Sequence, residues 1–215
     1  EGGFGLVVRN RYLLLIAFHV LLLNLVNTVG EFILGSLFAQ HALDVVGAGD
    51  ALREARGEYI RTLYGAFFGW VNLVGLLIQA FLVSRFMKYL GVRGSLFVGP
   101  VISLITYGVS AVQPALNAVR EMKVGENAVD YSLNNTVRQA LFLPTSREVK
   151  YKAKAAIDTF FARTGDALQA LVVFVGTQLA LAIPAFAIIN VAIVGVWLAV
   201  VGGIAREHKK RSTET

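Results

Sequence analysis

Between Tyr12 and Ala39 the chain reads YLLLIAFHVLLLNLVNTVGEFILGSLFA, a long run with no Lys or Arg and a single carboxylate, Glu31. A helix needs about 20 apolar residues to cross the hydrocarbon core of a bilayer, so this stretch predicts a long, tilted membrane span. It is not uniformly apolar. Asn24, Asn27, Thr28 and Glu31 are spaced by three, four and seven residues and share one helix face. An ionisable group inside a bilayer is costly unless it faces protein or water, so Glu31 must look into the molecule.

Further apolar runs follow. Ile60–Val83 predicts a second span, with Gly65, Gly69 and Gly75 as small residues for close helix packing and Asn72 and Gln79 on one face. Ser95–Val112 predicts a third, with Pro100 in its first turns, where a missing donor costs least. Ala167–Ile183 completes the fifth, and Pro184 starts a sixth that runs to about Gly203. Between them lie a polar loop, Gln40–Gly57, broken by Gly47-Ala-Gly49, a basic turn from Ser84 to Arg93, and a tight turn at Pro114. The tail Arg206–Thr215 is polar and expected to fray. The chain is 56% hydrophobic and 16% charged, with mean hydropathy +0.63, against about 25% charged for a soluble domain. The expected class is an all-α polytopic membrane protein. There is no Cys, which excludes disulfides, iron–sulfur clusters and thiolate metal sites. The chain starts with Glu1 rather than Met, which reads as a piece of a longer protein, and no signal peptide is visible.

The segment Ala115–Phe142 can be read in two ways. It holds Arg120, Glu121, Lys123, Glu126, Asp130 and Arg138, too many charges for a helix facing lipid. At 100° per residue, however, Arg120, Lys123, Asn127, Tyr131, Asn134 and Arg138 fall on one face, opposite Ala118, Met122, Gly125, Val129, Thr136 and Ala140. Such a striped helix either spans with its stripe on a polar cavity or lies on the membrane surface. Charge decides between them. If it spans, there are six helices, with spans at about 12–39, 60–83, 95–112, 115–142, 156–183 and 184–203. Most of the 20 Lys and Arg then fall on one side, at Arg9 and Arg11, Arg85 to Arg93, Arg138 to Arg163 and Arg206 to Arg211. The positive-inside rule puts that side, with both ends of the chain, in the cytoplasm. If it does not span, the asymmetry collapses.

Six helices with striped polar faces predict a solute path. A basic mouth attracts anions, and Arg suits phosphate or carboxylate by bidentate bonding. That points to Arg138 on the stripe and to the lysines of Lys150–Lys154, although cytoplasmic lysines can simply set topology. Glu31 reads either as a proton- or substrate-linked carboxylate or as the structural partner of an Arg such as Arg138 or Arg163. Asp158 and Arg163 read as a salt-bridged gate or a substrate contact. His19 and His41 have no ligand-spaced partners. No catalytic constellation, metal cluster or phosphate-cradling Gly loop is visible, so neither an enzyme nor a cofactor is expected, and no nucleic-acid partner.

At Leu141-Phe-Leu-Pro144, followed by Lys152-Ala-Lys-Ala-Ala-Ile-Asp158, the sequence resembles the nucleotide transporters of the major facilitator superfamily, the ATP/ADP antiporters of plastids and intracellular bacteria. In those exchangers the run is Leu-Phe-Asp-Pro followed by Lys-Gly-Lys-Ala-Ala-Ile-Asp. Asn24-Leu-Val and the turn Ser84-Arg…Leu90-Gly-Val-Arg93 are also similar. The chain departs from the family at Leu143, which stands for the Asp before the proline, and at Asn27, which stands for a Glu after Asn-Leu-Val; Glu31 lies one turn on. The resemblance implies the C-terminal six-helix half of a twelve-helix transporter in a bacterial inner membrane. It implies partners in the bilayer, in an N-terminal half and in an anionic, nucleotide-like solute moved by alternating access. It further implies a role in transport for Lys154 and for the position of Asn27; with the stripe residues Arg138, Asn134 and Tyr131 these are the expected substrate contacts, and Glu31, Asp158 and Arg163 are the expected gating or coupling residues. The alternatives are a proton-coupled transporter of another solute class, with Glu31 as carrier, and a membrane scaffold on a transporter fold that no longer transports.

Overall fold

The computed structural model describes residues 2–213, and the side chains of all of these but 148, 149, 212 and 213. It is 90% helical, without strands among the described residues. We number the helices α1 Gly3–Arg9, α2 Arg11–Val46, α3 Asp50–Tyr89, α4 Gly91–Val112, α5 over 116–140, α6 over 147–178 and α7 Ile183–Thr213. Four of them, α2, α3, α4 and the Ile183–Arg211 part of α7, are long and apolar enough to cross a membrane. The chain is an all-α polytopic membrane protein.

The bundle is built around α2. This helix packs against α1, α3, α5, α6 and α7, while α4 packs against α5 and α7 and α3 lies along α5. The difference in burial follows from that position. Of the most apolar 18 residues of each helix, 67% are buried in α2 and 17% in α3. The central helix can therefore carry polar residues that the outer one would have to show to lipid.

Local chemistry sets the ends of α2. The Asn10 side chain accepts from the backbone N–H groups of Tyr12 (3.1 Å) and Leu13 (3.5 Å), two donors that have no partner inside the helix. At the other end Gly47 (φ 101°) and Gly49 (φ 129°) take backbone angles that residues with a Cβ avoid. Tyr12 donates to the Leu141 carbonyl (2.7 Å) and Arg211 to the Asn10 side chain (3.0 Å). The start of α2, the end of α5 and the end of α7 are thus at the same end of the bundle.

Several expectations shift. The loop expected over Gln40–Gly57 shrinks to a turn around Gly47 and Gly49, because α2 continues to Val46 and α3 begins at Asp50. The tail expected to fray is helical to Thr213, with residues 214 and 215 outside the described part. The helix that enters the fifth predicted span already starts at Arg147 and stops at Gln178 rather than Ile183. Of the three glycines expected to sit at helix contacts, only Gly75 does, with a Cβ position 3.6 Å from the Ala128 carbonyl; Gly65 and Gly69 face open space. A wide π turn interrupts α3 at Ile78–Leu82, α5 at Asp130–Asn134 and α6 at Ile157–Phe161. Each inserts a residue into the α-helical register.

Candidate functional site

The polar stripe of α2 faces α5, and a buried charge network joins them. Lys123 on α5 is fully buried. Its Nζ lies 2.9 Å from Glu126 Oε2 and 3.5 Å from Glu31 Oε1, and it donates to Asn27 Oδ1 at 2.9 Å. The Glu126 carboxylate is closed on its remaining sides by α4. Ser103 donates to Oε1 (2.6 Å) and Tyr107 to Oε2 (2.8 Å). Asn127 donates to Glu31 Oε1 (2.8 Å). A buried charge is tolerated only when paired and hydrogen-bonded, and Glu126 and Lys123 are both. Glu31 differs: its side chain is 31% exposed, and it sits on the open side of the cluster.

Close packing holds the cluster together. A Cβ on Gly30 would collide with the Tyr107 hydroxyl and lie 2.9 Å from Lys123 Nζ. The Tyr107 hydroxyl, whose one proton is directed at Glu126, also lies 3.3 Å from the Val26 carbonyl, which accepts from Asn190 of α7 (2.9 Å). On the same side of α2, Trp197 donates to His19 Nδ1 (2.8 Å), so His19 ties α7 to α2. Among the described residues there is no group of His, Asp and Glu able to hold a metal ion.

Two spaces adjoin the network along α5. A space about the size of one water molecule lies between Asn27, Ser103, Glu126, Asp130 and Asn134. Beyond it a cleft of about 310 Å³ is lined by Leu23, Asn24, Asp130, Tyr131, Asn134, Asn135 and Arg138. Asn134 donates to Asp130 (3.3 Å) and Arg138 to Asn135 (3.4 Å). Arg138 Nε is buried without a partner, an unusual state for a charged donor. The π turn Asp130–Asn134 forms part of the cleft wall.

Tyr131, Asn134 and Arg138 thus share one cleft, and Asn27 and Glu31 belong to the adjoining network. The other predicted residues are elsewhere. Lys154, on α6, bonds the exposed Gln139 side chain at the end of α5. Asp158 and Arg163 are exposed and, among the described residues, do not pair with each other. The partner of Glu31 is Lys123, not Arg138 or Arg163. Sequence reasoning did not single out Lys123, Glu126, Tyr107 and Ser103. The available signals were an oppositely charged pair three residues apart in a helix read as a span, and polar residues four apart on α4.

Residues 103–208, just under half of the chain, match the family described as TLC ATP/ADP transporter. The chain is similar to ATP/ADP transporters. A further match is ADP,ATP carrier protein 1 of Chlamydia pneumoniae, 26% identical over 159 residues that cover 62% of this chain and 31% of the relative. The chain therefore spans about a third of the length of the curated relative it matches. No solved structure matches it. The matched region runs from α4 into α7 and includes Ser103, Tyr107, Lys123, Glu126 and every cleft residue on α5.

Proposed function

We propose that this chain is the C-terminal half of a secondary transporter that exchanges an anionic, nucleotide-like solute. The observation that carries the reading is the family match across α4 to α7, which takes in the wall of the Arg138 cleft. In this reading α5 and α6 also cross the membrane, giving six spans. At 1.5 Å per residue α5 is about 37 Å long, enough for a core of about 30 Å. The charges of α5 at Lys123, Glu126 and Asp130 face α2 and α4 rather than lipid, which favours the same view. The basic ends of α2, α5 and α7 lie in the cytoplasm, in a bacterial inner membrane, and the missing half is the other bundle of a major facilitator fold.

Alternating access then means that this bundle rocks against its partner bundle around a midplane site. Arg138 lines the cleft and offers the positive charge of its guanidinium to a phosphate, and Asn134 and Tyr131 line the same space. Lys154 steers the anion at the mouth. Glu31, already held by Lys123 and Asn127, is the carboxylate that approaching charge would disturb first, and Asp158 and Arg163 act at the gate.

The test is uptake of labelled ATP into vesicles carrying the full-length protein, with and without ADP inside. Uptake that needs internal ADP is expected. Arg138→Gln should lower it at least tenfold while leaving expression and melting temperature in place. Absence of ATP uptake under either condition would retire nucleotide exchange.

A further inference from the structure

The cleft beside the network holds two opposite charges that do not meet. Asp130 and Arg138 both line it. Asp130 accepts from Asn134 (3.3 Å) and Arg138 donates to Asn135 (3.4 Å), and among the described residues the two charges form no ion pair with each other or with a third group. Both hydrogen bonds are longer than the usual range of about 2.7–3.2 Å. Carboxylate and guanidinium therefore keep capacity for a stronger partner.

Their placement follows from the backbone of α5. Positions 130 and 138 are eight apart, which at 100° per residue would set them about 80° apart around a uniform helix. The π turn Asp130–Asn134 lies between them and takes up one residue. They return to one face, about two turns or 11 Å apart along the axis. Helical side chains lean toward the N-terminus of their helix, and the Arg138 guanidinium reaches back to Asn135. That leaves a gap of about one turn between the charged groups, too wide for them to pair and narrow enough for one small molecule to bridge.

A ligand that bridges the gap must differ at its two ends. The end at Arg138 is anionic, and a phosphate suits a guanidinium. The end at Asp130 must donate hydrogen bonds, because a second anion there would meet like charge. A carboxylate with a free acceptor edge is a receptor for the hydroxyls of a ribose. Tyr131, 52% exposed, brings an aromatic ring to the same cleft, and a base can stack on such a ring.

We propose that Asp130 is a specificity-determining residue of this cleft: its carboxylate accepts from the 2′- and 3′-hydroxyls of a nucleotide whose phosphate lies at Arg138, a role that rests on the nucleotide-like solute proposed above. A site that satisfies a polar group with a substrate hydroxyl rejects the analogue that lacks it. The cleft then selects ribonucleotides over nucleotides with a bare sugar.

The experiment measures the melting temperature of the full-length protein in detergent during titration with ADP or 2′,3′-dideoxy-ADP. Both should raise it, and the dideoxy compound should need roughly ten times the concentration for half the shift. Asp130→Asn, which keeps the shape of the side chain, should raise the ADP requirement to that of the dideoxy compound and so abolish the preference. Its melting temperature without nucleotide reports whether the fold is kept. If it is not, the comparison of the two nucleotides on the unaltered protein decides. Equal titration of ADP and dideoxy-ADP by the unaltered protein overturns the role of Asp130 and leaves the nucleotide reading in place, as does an undiminished preference in a folded Asp130→Asn variant. No shift with either compound overturns both.

Discussion

Lys123 and Lys154 sit on consecutive helices of one bundle. Lys123 is sealed in protein and touches Glu126, Glu31, Asn27 and Tyr107. Lys154 reaches one exposed glutamine. Both are lysines in segments that matter to the proposed transport, but the physics around them differs. Lys123 is fully buried, so its charge depends on its neighbours, and losing one leaves the others without compensation. At Lys154 water and salt screen the charge, so little stability rests on it. The inner region is therefore where charge holds the fold, and the outer region is where charge carries little of the stability.

The sharpest way to break this contrast is to remove Lys123. Lys123→Met leaves Glu126 and Glu31 facing each other without their cation. The expected loss is about 3–5 kcal/mol, read as a fall in melting temperature of the full-length protein in detergent. The double variant Lys123→Met/Glu126→Gln should recover part of that loss, since it no longer buries a lone carboxylate beside Ser103 and Tyr107. Equal melting of the single variant and the unaltered protein would mean that the network is not closed as described. Gly30→Ala should cost about 1–3 kcal/mol, because its Cβ would occupy the place of the Tyr107 hydroxyl. The same change at Gly65 or Gly69, both in open space, should leave melting nearly unchanged.

The all-helical, membrane-crossing character of the fold is legible in the sequence, because long apolar runs are a property of the chain alone. The ends of the helices are less so. Gln40 to Val46 and Arg206 to Thr213 stay helical, since a helix needs no apolar residues once it leaves the bilayer. At the site, Asn27 and Glu31 stand out from the spacing on α2. Their partner does not. Lys123 belongs to a basic stripe, and only the docking of α5 on α2 shows that it is neutralised there. Glu126 lies 60° off that stripe at 100° per residue, and Tyr107 and Ser103 look like ordinary residues of a span. The π turn at Asp130–Asn134 adds a further limit, since a uniform 100° per residue carried through an inserted residue misplaces the face of every later position on α5.

The outer region supplies the smallest effects on stability and the clearest separation of roles. Lys154→Gln, Asp158→Asn and Arg163→Gln alter side chains at or near the surface. Each should shift stability by no more than about 0.5 kcal/mol. Transport should not be so tolerant. If Lys154 steers an anion, Lys154→Gln raises the KM for uptake and weakens its dependence on ionic strength, while kcat stays close to its former value. If Asp158 and Arg163 act at the gate, their changes lower kcat and leave KM in place. Asp158 sits in the π turn of α6, where an interrupted backbone ladder leaves room for a helix to bend. Unchanged kcat and KM in all three variants would move the function entirely into the cleft and the network behind it, and the outer lysines would then be left with setting the orientation of the chain in the membrane.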